Sequence, residues 1–187
     1  MITLAAALAA LLIPAQPSLV PTPIGVGAAY HPRAARRAVL AGRPLGRKLS
    51  CGGAGARYGV HLELFAKRRV LIVPAGIGVA APRARRLGSI VPGGCTYPAR
   101  TLTPTGVIEI RRGTRLTLAD LFRLWSQPLG AHRLAGFRSS RPVLAFVGGR
   151  RWRGSPGAIP LTPHAQIVLE IDGYVPPHIS FLFPGGL

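Results

Sequence analysis

The stretch from Gly106 to Pro128 constrains the fold more than any other part of the chain. Its first residues are β-branched and predict a short strand, and Thr117 followed three residues later by Asp120 has the spacing of a helix capping box. Pro128 cannot continue a helix, so we expect the helix to end there after about three turns. Its apolar residues recur at helical spacing, at Leu118, Leu121, Phe122 and Trp125. Because only one face is apolar, this helix needs a sheet to pack against.

Strands are predicted on both sides of this unit. The segment from Val60 to Val73 alternates and then becomes continuously apolar, which predicts a hairpin. The reversal falls at Lys67 and Arg68, and since neither residue favours positive φ, we expect a looser turn than Asn-Gly would give. The basic segment from Arg83 to Gly94 contains Gly and Pro and predicts a loop.

A second hairpin and a final strand follow the helix. Val143 to Val147 predicts an apolar strand, Gly148-Gly149 is a strong two-residue turn signal, and Arg150 to Arg153 returns. Ala165 to Ile171 predicts the last core strand. The order hairpin, loop, strand, helix, hairpin, strand indicates an α+β fold, with one helix on a mixed sheet.

A β-grasp, ubiquitin-like sheet with one packed helix fits this order best, and a small β-barrel or sandwich with one helix is the alternative. The tail from Tyr174 is too rich in Pro and Gly to form a helix. Its alternating Ile179, Phe181 and Phe183 predict an extended edge across the sheet.

The chain divides into three predicted regions. Residues 1–16 resemble a signal peptide, because the uncharged apolar run from Ile2 to Ile13 has the length of a signal core and is too short to span a bilayer. No Lys or Arg precedes His31, so the positive start of a signal peptide is missing. Residues 17–49 predict a flexible, basic, Pro-rich arm, and residues 50–187 a single α+β domain. Secretion or attachment to the cell envelope is favoured, with a cytoplasmic location as the alternative.

The net charge is +19, from 24 basic and 5 acidic residues. Such a field favours anionic partners, either an envelope polymer or a membrane surface, without sequence-specific recognition of nucleic acid. Most basic residues are Arg, which a GC-rich genome would also produce. Three basic turns would supply the polyanion contacts: Lys67, Arg68 and Arg69; Arg83, Arg85 and Arg86; and Arg150, Arg151 and Arg153.

Cys51 and Cys95 are the two cysteines, and they flank the first hairpin. In an exported chain such a pair predicts one disulfide, whereas in a cytosolic protein both would be buried thiols. Neither belongs to a Cys-x-x-Cys or Cys-His cluster, so structural zinc is disfavoured.

No residue set in the sequence specifies a reaction. A Gly-x-Ser-x-Gly elbow is missing, and the five carboxylates are dispersed without an obvious acid/base pair. His31, His132, His164 and His178 are scattered beside turn-forming or basic residues. We therefore expect a protein that is not an enzyme, has no cofactor and takes no small-molecule substrate that we could identify.

Several spaced motifs resemble an uncharacterised family of small exported actinobacterial proteins. They are HLELF at 61–65, VPAGIG at 73–78, Cys95 followed eleven residues on by Gly106 in TGVIEI, LADLFRLWSQPL at 118–129, IPLTPHAQIVLEI at 159–171 and the tail FPGGL. The resemblance covers about two thirds of the chain, from Val60 to Leu187. It implies export but no activity, because the family has no established function.

The family pattern also carries histidines on the first strand, before the TGII strand and on that strand, which would suit a transition metal. This sequence keeps only His61 of the first run and has Arg100 and Glu109 at two of the other positions. With Glu63, a His-Glu-Glu set is conceivable. Arg100, and Arg57 at another family position, would instead pair with these carboxylates, so we predict no bound metal.

Three functional hypotheses follow. The first is an exported, non-catalytic binding or envelope-associated module with a strongly basic surface. The second is a cytoplasmic, non-specific binder of nucleic acid or another polyanion. The third is a metal-binding protein or metalloenzyme, which depends wholly on the family histidines.

Overall fold

The computed structural model describes residues 37–187. The predicted signal segment and residues 17–36 of the predicted arm lie outside this range. The elements in chain order are α1 (Arg37–Leu40), β1 (Arg57–Ala66), β2 (Arg69–Leu71), β3 (Arg83–Arg86), β4 (Ser89–Pro92), β5 (Ala99–Arg100), β6 (Val107–Arg111), α2 (Leu118–Trp125), β7 (Leu129–Gly130), β8 (Arg133–Leu134), β9 (Phe137–Arg138), β10 (Leu144–Val147), β11 (Arg150–Arg151) and β12 (Gln166–Ile171).

One mixed sheet of seven strands organises the described part of the chain. Its order is β11-β10-β12-β1-β6-β5, and β2 pairs with β1 beside β6. Strands β1 and β12 run parallel, with His61 opposite Gln166 and Ala66 opposite Ile171. The β6, β2 and β10 pairings are antiparallel. Within residues 37–187 the sheet is open, so the α+β prediction is confirmed and a closed barrel does not describe it.

Strand alternation gives the sheet two different faces. The helix face carries the alternate β1 residues Tyr58, Val60, Leu62 and Leu64, which belong to the main core together with the apolar residues of α2. We call the opposite face the tail face, because the chain after residue 173 crosses it. On β1 it carries Arg57, Gly59, His61, Glu63 and Phe65.

Helix α2 forms for the reasons that its sequence predicts, but it is shorter than expected. The Thr117 backbone N–H donates to the Asp120 carboxylate at 2.9 Å, as a capping box requires. Leu118, Leu121, Phe122, Leu124 and Trp125 are buried. The helix ends at Ser126, which adopts a left-handed conformation (φ 63°), and not at Pro128.

The prediction of a loose turn after β1 was wrong. Ala66 pairs directly with Arg69, and Lys67 and Arg68 both have positive φ (51° and 61°), as in a tight two-residue turn. The neighbouring strand supports this turn, because the Lys67 backbone N–H donates to the Ile171 carbonyl at 2.9 Å. Tertiary context therefore overrides the local conformational preference.

The segment from Arg83 to Gly94, predicted as a loop, instead contains the β3–β4 hairpin. Arg83 pairs with Pro92 and Arg86 with Ser89, leaving a two-residue turn at Leu87-Gly88. The Arg83 guanidinium donates to the Gly76 carbonyl at 2.9 Å and fixes the base of the hairpin. Strands β7, β8 and β9 form a further small sheet that the sequence did not predict.

Packing extends before residue 50, where we placed the start of the domain. Val39 and Leu49 are buried, and the Tyr97 hydroxyl donates to the Arg43 carbonyl at 2.6 Å. The disulfide between Cys51 and Cys95 is present, with 5.5 Å between the Cα atoms. Residues 37–49 therefore lie against the domain rather than forming a free part of the arm.

The second hairpin and the last strand are confirmed. Gly148 and Gly149 both have positive φ and connect β10 to β11, and β12 covers the predicted final strand. The tail after residue 173 adds no strand to the described sheet; it lies across the tail face. No helix within residues 37–187 has the length and apolar character needed to cross a membrane.

Candidate functional site

His61 lies at the centre of the tail face and is 4% exposed. Its Nε2 lies 3.0 Å from the Thr105 carbonyl, and its Nδ1 lies 2.7 Å from the side-chain amide of Gln166. The carbonyl can only accept, so Nε2 carries a proton. Burial lowers the pKa of His61, while its hydrogen bond to Gln166 and the charge of Glu63 oppose this shift. Both ring nitrogens are thus engaged, which leaves neither free to bind a metal.

The tail covers His61 by stacking. The Phe181 ring lies 3.7 Å from the His61 ring, centroid to centroid, and is nearly parallel to it. Phe183 packs over Gly59, where any side chain would clash, since an added Cβ would fall 2.4 Å from the Phe183 ring. The tail position therefore depends on a glycine in the middle of β1.

Glu63 joins β1 to the tail through His178. Nδ1 of His178 lies 2.8 and 2.9 Å from the two carboxylate oxygens of Glu63. The same carboxylate lies 3.8 Å from Nδ1 of His61, and the two groups form an ion pair only when His61 is protonated. The contact between His178 and Glu63 could not be predicted from the sequence, because 115 residues separate the partners and no spacing rule connects them.

Arg100 and Glu109 form the ion pair that we expected in place of a metal. Nε and Nη2 of Arg100 lie 2.8 and 2.6 Å from one oxygen of Glu109, across the β5–β6 pairing. Glu109 also lines a groove of about 600 Å³ between β4, β6 and the tail. The groove wall is mostly apolar, with Ile90, Val107 and Phe181 among its residues.

Arg57 does not pair with a carboxylate, and this part of the prediction was wrong. Its guanidinium is buried and donates to the carbonyls of Pro98, Tyr97 and Glu109 and to the Thr96 hydroxyl. Burial, with the nearby charges of Arg100 and Arg111, lowers the pKa of Arg57 to about 10. Arg57 therefore holds β1 against the segment before β5 and has a structural role.

The predicted polar cluster is only partly assembled. Glu63 and His61 share one face, but the carboxylate of Glu109 is bound by Arg100. Across residues 37–187, no three His, Cys, Asp or Glu side chains are grouped closely enough to hold a metal ion. The His-Glu-Glu set is therefore not formed in the described chain.

Glu170 is a second buried group on this face that the sequence did not indicate. It is 0% exposed, and neither carboxylate oxygen makes a hydrogen bond of good geometry. Burial raises its pKa, opposed by the Val175 backbone amide and the charge of Arg151. Its strand neighbours are Phe65 and Leu144, so its surroundings are apolar.

The three predicted basic turns lie at different places on the surface. The Lys67 turn bonds to Ile171, at the end of β12, whereas Gly148 beside the Arg150 turn bonds to Gln166, at its start. These positions are about 16 Å apart along the strand. The Arg83 turn lies in the separate β3–β4 sheet. Most of these side chains are exposed; Arg83 is half-buried, and the Arg151 guanidinium lies 5.4 Å from the centre of the Phe146 ring.

The carboxylates neutralise little of this charge. Glu109 binds Arg100, and this is the single pair between a carboxylate and a Lys or Arg within the described residues. The other four acidic side chains are engaged elsewhere: Glu63 with His178, Asp120 at the start of α2, Glu170 in the interior and Asp172 with Ser139. The arginines of the basic turns therefore keep an unpaired charge.

The disulfide indicates an extracytoplasmic location, because such bonds persist mainly in oxidising compartments. Gly42 lies against it, and an added Cβ there would be 3.1 Å from Sγ of Cys95. Comparison with protein-family models, with curated proteins and with solved structures finds no match for this chain.

Proposed function

We propose that the protein is an exported, non-catalytic binding module of the cell envelope that binds anionic surfaces through its basic turns. The observation that carries this proposal is the unpaired charge of those turns. Only one of the five carboxylates binds an arginine within residues 37–187, so the positive field extends into solvent.

Binding is expected to be indifferent to nucleic-acid sequence. The three basic turns are separated from one another and lie on short hairpins. Contacts from separate arginines to phosphate, sulfate or carboxylate groups supply affinity without reading bases.

Export is proposed on two grounds. The disulfide supports an oxidising compartment, and the apolar run at the amino terminus has the length of a signal core. We also propose membership in the exported actinobacterial family that the motifs resemble. A mass measurement of protein from its native host, with and without reduction, tests removal of the signal segment and the disulfide together.

We further propose that the core is a β-grasp. Support comes from the strand order β2-β1-β12-β10-β11, in which the last strand lies parallel to the first, and from α2 between the two hairpins. Strands β6 and β5 then extend the sheet beyond β1.

Calorimetric titration with dextran sulfate and with two unrelated DNA duplexes tests the binding proposal. Both duplexes should bind equally, with log Kd linear in log salt concentration. Neutralising Arg150 and Arg153 together should reduce the salt slope for DNA by about two. The matched control is Arg100→Gln, whose guanidinium already binds Glu109 and should not change the slope. Salt-resistant preference for one duplex, or no binding to any polyanion, would refute the proposal.

A further inference from the structure

The turn of the β3–β4 hairpin carries a leucine whose side chain is not buried by any described part of the chain. Leu87 is 99% exposed and has a φ of 47°. A branched side chain is strained in this left-handed conformation, where Gly or Asn is usual. An exposed leucine also gains nothing from the hydrophobic effect. Lys67 and Arg68 share the conformation but are polar, so Leu87 combines two unfavourable features.

Positive charge surrounds this leucine. Arg85 and Arg86 precede it and are exposed. The sequence contains no acidic residue between Glu63 and Glu109, so the charge of the hairpin is not balanced locally. On the outward face Ala84 pairs with Val91, which is 47% exposed, and this extends the apolar surface behind the tip.

A second exposed leucine lies beside the hairpin. Leu182 of the tail is 90% exposed and lines the same groove as Ser89 and Ile90 of β4. Leu87 and the two exposed arginines before it present the chemistry that matches an anionic bilayer: an apolar group for the acyl boundary and guanidinium groups for the phosphates. Leu182 adds a second exposed apolar group near the hairpin. A soluble polymer would use the arginines but not the leucines.

We propose that the β3–β4 hairpin is a membrane anchor, which inserts Leu87 into the interface of an anionic lipid bilayer while Arg85 and Arg86 bind lipid phosphates. This deepens the proposed function and rests on it, since it names the lipid surface as the anionic partner. The hairpin base stays fixed to the domain through Arg83 and Gly76 and through the Ile90 backbone N–H, which donates to the Leu102 carbonyl at 2.7 Å.

Vesicle co-sedimentation tests the anchor, using phosphatidylcholine with and without one-third phosphatidylglycerol. Leu87→Asn keeps a residue that tolerates positive φ and should weaken binding to the anionic vesicles about tenfold. Its affinity for dextran sulfate should not change. The matched control is Ile179→Asn, because Ile179 is 74% exposed but lies against Gly149 at the other hairpin. This control should bind both ligands as the wild type does.

A tryptophan at the tip reports insertion directly. The emission of Leu87→Trp should shift to the blue on addition of anionic vesicles, beyond any shift of the wild type, and should not shift with dextran sulfate. Equal vesicle binding by Leu87→Asn and wild type, or an unshifted emission, would overturn the anchor while polyanion binding still supported the proposed function. Failure to bind either ligand would overturn both.

Discussion

Buried polar residues on the tail face differ sharply in how well they are satisfied. Arg57 donates to four oxygen atoms, whereas Glu170, which is fully buried, has no hydrogen bond of good geometry to either carboxylate oxygen. Burying a carboxylate charge without well-formed hydrogen bonds destabilises the folded state. Glu170 is therefore a position where the folded chain is less stable than it could be.

We predict that Glu170→Gln stabilises the protein at neutral and alkaline pH. Burial raises the pKa of Glu170, so the folded state binds this proton more tightly than the unfolded chain does. Stability is consequently lost as pH rises from the ordinary value of 4.5 through the raised pKa. Gln carries no charge at any pH. Thermal melting should show the variant above wild type by about 2–4 °C at pH 8, with the difference vanishing below pH 4.

The matched control for this prediction is Glu109→Gln, on the same face. Glu109 binds Arg100 at 2.6 Å, so its removal leaves a guanidinium without its partner and should lower the melting temperature at pH 8. A melting temperature for Glu170→Gln below that of wild type at pH 8 would contradict the prediction.

At the scale of elements, the tail from residue 174 to 187 acts as a cover for the sheet, although it forms no strand. Aromatic stacking, one carboxylate contact and close packing on a glycine hold it in place, at His61, Glu63 and Gly59 respectively. These contacts are made by side chains and not by a backbone ladder, so single substitutions should loosen the tail.

We predict that Phe181→Ala raises the pKa of His61 toward its ordinary value. Burial is the largest cause of the lowered pKa, and the stacked Phe181 ring supplies part of that burial. The measurement is an NMR titration of the His61 ring. Leu182→Ala is the control, because Leu182 is exposed and should leave the titration unchanged. An unaltered pKa in Phe181→Ala would show that the tail does not bury His61.

Local signals predicted the elements that depend on local physics. The capping box at Thr117 and Asp120, and the Gly148-Gly149 turn, act within a few residues of chain and appear as expected. The β3–β4 hairpin has a turn at Leu87 that no local preference favours, and its base depends on the distant residues Gly76 and Leu102. Such an element could not be predicted from its own sequence.

The candidate site shows the same division. Alternation along β1 is enough to place His61 and Glu63 on one face, since strand periodicity is local. Gln166, His178 and Phe181 reach them from the far end of the chain. Neither periodicity nor charge in one sequence brings together residues more than 100 positions apart, so these contacts follow only from the three-dimensional structure.

At the scale of the whole molecule, the disulfide joins the first strand region to the segment before β5. It closes a loop with a sequence separation of 44 residues, and residues 37–49 pack beside it through Gly42. A cross-link of this span reduces the conformational entropy of the unfolded chain more than that of the folded chain. The disulfide is therefore expected to contribute strongly to the stability of the described domain.

We predict that the double variant Cys51→Ala/Cys95→Ala lowers the free energy of unfolding by about 4 kcal/mol, because a loop of this length gives the unfolded chain that much additional conformational freedom. Urea denaturation of wild type with and without reductant is the measurement. Reduced wild type should match the variant, and the variant itself should not respond to reductant. Titration of unfolded, unreduced wild type should find no free thiol from Cys51 or Cys95. Two reactive thiols in that titration, or equal stability of reduced and oxidised wild type, would show that the bond does not stabilise the protein in solution.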